Sequence, residues 1–65
     1  MDNTTRDKLF EAWAWCDEED RSTFFMFNYM ADHAGVTYEE AVDFVMETTN
    51  IERNEWYKKR NFKNN

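Results

Sequence analysis

A chain of 65 residues makes one small domain, which buries only about 60% of its unfolded surface and keeps a stability of a few kcal/mol. Its single cysteine, Cys16, excludes an internal disulfide, and its lone histidine, His33, offers no Cys/His spacing for a metal, so neither metal nor cofactor is expected. A formal net charge of -6 argues against general phosphate binding, but the charge is divided. Residues 1–50 carry three bases and twelve acids, a net of -9, whereas residues 51–65 carry five bases and two acids, a net of +3.

The opening stretch MDNTTRDK is polar and no long apolar run follows. Neither a signal peptide nor a membrane span is expected, and a reduced cytoplasmic setting is the default. Proline is absent, Gly35 is the only glycine, and strand-like alternation is not seen. The pattern predicts an all-α single domain, a compact three-helix bundle with a short fourth C-terminal helix.

The first helix is expected over residues 5–17, capped by Asn3 or Thr4, with Asp7 in its first turn. At about 100° per residue, Leu9, Phe10, Ala12, Trp13 and Cys16 share one arc, and Trp15 lies outside it. The acidic run from Asp17 to Asp20 opposes the helix dipole and ends this helix. It could be an anionic patch for a basic partner; a solvated linker is the favoured reading. Ser22 is a good cap for the next helix.

The second helix spans residues 23–34. Phe24, Phe27, Met30, Ala31 and Ala34 form one apolar stripe, while Phe25, Met26 and Tyr29 lie opposite. A helix apolar nearly all round must be the central helix or meet another chain. Gly35 suits the left-handed position after a helix, and Thr37 with Glu40 makes a capping box. The third helix, residues 38–49, turns Ala41, Val42, Phe44, Val45 and Thr48 inward and leaves Glu39, Glu40, Asp43 and Glu47 as one acidic arc. Thr49 with Glu52 suggests a fourth helix from near Asn50, packed through Trp56 and either Ile51 or Tyr57; residues 61–65 should fray.

The residues that could carry chemistry are few. Cys16 and His33 are the only nucleophile–base pair, but Cys16 lies on an apolar arc and no orienting group or anion hole is visible, so no catalytic residues are assigned. His33 reads as a partly exposed helix-end residue. The aromatic residues divide into core candidates (Phe10, Trp13, Phe24, Phe27, Phe44) and Trp15, Phe25, Tyr29 and Tyr57, which do not fit one small core. Interface residues, either for a homodimer or for a partner, are the other reading of this second group. The segment Trp56, Tyr57, Lys58, Lys59 and Arg60 mixes aromatic and basic side chains. That suits nucleic-acid or partner contact, or a cationic helix end paired with the acidic body, and the latter is favoured.

Residues 30–44, MADHAGVTYEEAVDF, resemble a helix-turn-helix unit. Ala31 matches the small residue of its first helix, Gly35 the turn, Val36 the apolar plug, and Phe44 the buried face of its second helix. In a DNA reader that second helix carries Arg, Lys, Asn or Gln into the major groove. Here the matching surface holds Glu39, Glu40, Asp43 and Glu47, which repel phosphate, so specific DNA binding is not expected. In type, the size, the lack of a catalytic set and the acidic, aromatic-rich composition resemble small bacteriophage accessory proteins. That resemblance implies a non-enzymatic module docking on a larger basic protein (a nucleic-acid enzyme, regulator or defence complex), inhibiting or redirecting it, with partial DNA mimicry as its sharpest form. The alternatives are a DNA-binding regulator using the basic C-terminal segment and a homodimeric structural module.

Overall fold

Local capping signals divide the chain into four helices: α1 Asn3–Glu18, α2 Thr23–Ala34, α3 Tyr38–Glu47 and α4 Asn50–Lys59. The computed structural model describes residues 1–60; residues 61–65, expected to fray, lie outside the described residues. No strand occurs among the described residues, and the chain is all-α. None of its described helices is long and apolar enough to cross a membrane.

Each helix starts on a side-chain cap. Asp2, not Asn3 or Thr4, caps α1 by accepting the Thr5 N–H at 2.8 Å. This earlier start moves Asp7 out of the first turn, where it was expected. Ser22 caps α2, accepting the Phe25 N–H at 3.2 Å. Thr37 and Glu40 close a full capping box on α3, with bonds of 2.9 and 3.0 Å. Thr49 and Glu52 do the same for α4, at 2.9 and 3.1 Å. Because Thr49 takes that role, α3 stops at Glu47, short of the expected residue 49. The fourth helix is ten residues long, the same length as α3.

Helix ends follow the same local logic. α1 runs on through Asp17 and Glu18 and closes with Arg21 N–H donating to the Cys16 carbonyl at 3.0 Å and Asp20 N–H to that of Asp17 at 3.2 Å. This leaves Asp20 at φ 57, a left-handed residue in a tight turn, and the whole run Asp17 to Asp20 is exposed. At the end of α2, Gly35 adopts φ 73, and the N–H groups of Gly35 and Val36 both reach the Ala31 carbonyl, at 2.9 and 3.0 Å.

Among the described residues, five of the ten buried hydrophobic side chains, Leu9, Phe10, Ala12, Trp13 and Cys16, come from α1. The central helix is therefore α1 and not α2, which buries only Met30 and Ala31. The predicted α1 arc matches residue for residue. Phe10 joins three elements: its ring lies edge-on to Phe44 of α3 and stacked on Trp56 of α4, both at 5.0 Å, and stacks with Trp13 at 6.1 Å. Two aromatic residues sit otherwise than counted. Phe24, placed on the inward stripe, is 70% exposed, because its ring neighbour Tyr38 is itself exposed and no second layer covers it. Tyr57, counted among the rings that do not fit one small core, is buried, because α4 lies against α1 and supplies a wall that three helices alone would lack. Of the two residues offered with Trp56 to pack α4, it is Tyr57 that packs and Ile51 that is 71% exposed.

Candidate functional site

Rotation of α3 is fixed by its buried residues. Ala41 and Phe44 are enclosed and Val42 and Val45 half-buried, which leaves Glu39, Glu40, Asp43 and Glu47 all exposed on the outward side. Glu40 also holds the capping box, so part of its carboxylate serves the fold. At about 100° per residue Met46 borders this arc beside Glu39 and Asp43, and it is 76% exposed. The face is thus an anionic strip edged by a flexible, polarisable thioether, a side chain well suited to apolar contact with varied surfaces. Met46 carries no charge to mark it in the sequence, but its helical position places it on this face.

A second surface joins α1 to α2. Trp15 and Phe25, each 37% exposed, and half-buried Tyr29 were read as too many rings for one core. The structure gathers them into a ladder. Tyr29 lies 5.0 Å from Trp15, 6.0 Å from Phe25 and 5.8 Å from the His33 ring. The spacing Phe25, Tyr29, His33 is i, i+4, i+8, one row of a helix surface. Charged groups stand at both ends. The Arg21 guanidinium sits 4.7 Å from the Phe25 ring centre and 5.4 Å from that of Trp15. At the other end His33 Nε2 approaches Glu11 Oε1 at 3.4 Å. Neither Arg21 nor Glu11 was singled out from sequence, since their roles depend on how α1 and α2 align.

Part of the basic C-terminal segment is held against α1. Trp56 donates its indole N–H to Asp7 at 2.9 Å, and Arg60 Nη2 donates to both Asp7 oxygens at 2.9 and 3.0 Å. These donors, Trp56 first and Arg60 second, hold the Asp7 carboxyl below the usual carboxylate range. Arg53 reaches Asp17 at 3.3 Å and lies over the rings of Trp13 and Tyr57. Burial, chiefly, pushes the Tyr57 phenol above the ordinary tyrosine range. Of the five residues proposed for nucleic-acid or partner contact, Trp56 and Tyr57 pack into the fold, Arg60 is exposed but paired with Asp7, and Lys58 and Lys59 are exposed.

Cys16 is 1% exposed, and burial raises its thiol pKa, so the thiolate that nucleophilic chemistry requires is disfavoured. Among the described residues no three His, Cys, Asp or Glu side chains are grouped to hold a metal ion. No protein family, curated protein or solved structure shows detectable similarity to this chain.

Proposed function

We propose that this protein is an acidic binding module that docks through α3 on a larger basic protein and inhibits or redirects it. The observation that carries this reading is the outward face of α3. In the sequence resemblance to a helix-turn-helix unit this helix takes the place of the DNA reader, and it displays Glu39, Glu40, Asp43 and Glu47 beside exposed Met46. Carboxylates in that place repel phosphate and attract a positively charged groove. Partners of this chemistry are nucleic-acid enzymes, regulators and defence complexes, whose basic grooves an acidic helix could enter as a partial stand-in for DNA. Occupying such a groove excludes its nucleic acid, which is the simplest route to inhibition. A regulator that binds DNA through its C-terminal segment is less well supported, because Trp56 and Arg60 are committed to Asp7 and Tyr57 is buried.

Affinity capture with the parent chain and with a Glu39→Lys/Asp43→Lys variant tests the proposal. A basic protein retained by the parent and lost by the variant, with the melting temperature unchanged, is the expected result. Equal retention by both chains, or direct sequence-specific binding of duplex DNA at about 0.15 M salt, would overturn it.

A further inference from the structure

A groove of about 900 Å³ runs along α1 on the side bounded by α2 and α4. That size falls within the span of ligand sites, roughly 300–1,000 Å³. Its floor is the α1 row Glu11, Ala14, Trp15 and Glu18, spaced i, i+3, i+4, i+7, and the small Ala14 keeps it open. Tyr29 and His33 form one wall, and Arg53 and Tyr57 stand on the other.

We infer that this groove receives an arginine side chain of the partner, stacked on Trp15 and Tyr29 and paired with Glu11. The inference rests on the reading of the partner as basic. Three observations on the groove itself support it. Its lining carries the carboxylates of Glu11, Asp17 and Glu18 against the single guanidinium of Arg53, so it favours a cation. Arg53 is already engaged by Asp17 at 3.3 Å and by the rings of Trp13 and Tyr57, and the partner of Glu11 at the other end is His33. The edge of this platform already holds a guanidinium, since Arg21 lies 4.7 Å from the Phe25 ring and 5.4 Å from that of Trp15 itself. The Trp15–Tyr29 pair, 5.0 Å apart, extends that platform into the groove.

The chemistry selects arginine. A guanidinium is planar and weakly hydrated, so it stacks on rings and still donates to a carboxylate, whereas the compact ammonium of lysine holds its water more strongly. Glu11 meets His33 only at a long 3.4 Å, and an incoming guanidinium offers it a shorter, charge-assisted pair.

The test is a titration of the isotope-labelled chain with an end-blocked hexa-arginine peptide, followed by NMR, with hexalysine as the comparison. The expected result is that the largest shifts fall on the Trp15 indole N–H and the backbone of Ala14, Tyr29 and His33, with hexalysine binding more weakly. Trp15→Ala should weaken hexa-arginine binding by about threefold to thirtyfold, the range of one cation–π contact. Ala14→Leu fills the floor without removing a ring or a charge, and should abolish the groove shifts while the melting temperature holds. Shifts confined to Glu39, Asp43 and Met46 would overturn the groove and leave the proposed function standing. Equal binding of the parent and Ala14→Leu would also overturn it. So would a concentration-dependent dimer that Ala14→Leu dissolves, which would assign the groove to a second copy. An acidic captured partner would instead overturn the proposed function.

Discussion

Asp7 and Trp56 stand 49 residues apart in sequence, and the indole N–H of one meets the carboxylate of the other at 2.9 Å. The Trp56 ring stacks on Phe10, three residues beyond Asp7 and on the same side of α1. One turn of α1 thus gives α4 both a polar and an apolar seat. Arg60 grips the same carboxylate one turn further along α4. The basic end of the chain is thereby tied to the acidic body through Trp56 and Arg60, while Lys58 and Lys59 stay exposed.

This seat should respond to acid. The Asp7 carboxyl is held below its ordinary value in the fold. A depressed carboxyl contributes stability that is fully present above its unfolded pKa, about 3.9, and is lost as pH falls through the lower folded value. The docking of α4 should therefore loosen below about pH 4. The Trp56 indole N–H resonance should move in that range in the parent chain, and the step should be missing from Asp7→Asn.

Phe10 is the ring through which α1, α3 and α4 meet. Truncating a buried Phe to Ala costs about 3–5 kcal/mol, as much as a domain of this size holds in reserve. Phe10→Ala should be unfolded at room temperature by circular dichroism. Phe10→Leu should fold with a lowered melting temperature. A cooperative melt of Phe10→Ala close to that of the parent would show that the ring does not join the helices.

Two turns contain a left-handed residue, and they should respond in opposite directions. Asp20 holds φ 57 with a side chain present, so Asp20→Gly should stabilise the chain by about 1 kcal/mol. Gly35 holds φ 73, and a Cβ added there would meet no atom within 4 Å. Its substitution is therefore a matter of backbone strain alone. Gly35→Val should cost about 1–2 kcal/mol, and Gly35→Asn distinctly less. Thermal melts of the three variants should rank Asp20→Gly above the parent and Gly35→Val lowest.

The contrast between these turns also shows what the sequence made legible. Ser22, Gly35, the Thr37–Glu40 box and the Thr49–Glu52 box act within a few residues of themselves, and each sets a helix end as read. The buried arc of α1 was equally legible, because one helix face repeats every three or four residues. Asp20 was not, since nothing in an acidic run marks one member as left-handed. That α2 is not the central helix was not legible, because a helix apolar on every side does not announce which side stays in water. The burial of Tyr57 rests on a pairing of α4 with α1 that no local pattern encodes. At the candidate site, periodicity was enough to collect the α3 carboxylates, but the Arg21 and Glu11 ends of the aromatic ladder required the alignment of α1 with α2.

Cys16 gives a direct probe of the core. It is almost fully enclosed and its thiol is shifted upward by burial, so it should resist alkylation at neutral pH. Labelling by iodoacetamide should proceed only at the rate of global unfolding and should accelerate in denaturant. Rapid stoichiometric labelling of the native chain would show that α1 opens on its own.

The claim that α3 is the docking face is tested most directly by placing a photo-crosslinking residue at position 46, at the edge of the Glu39–Asp43 strip, and comparing it with the same residue at exposed position 3 of α1. Irradiation in lysate should yield an adduct specific to position 46, and the attached protein should be basic and bind nucleic acid. Adducts of equal yield at both positions, or an acidic protein attached at position 46, would contradict the account.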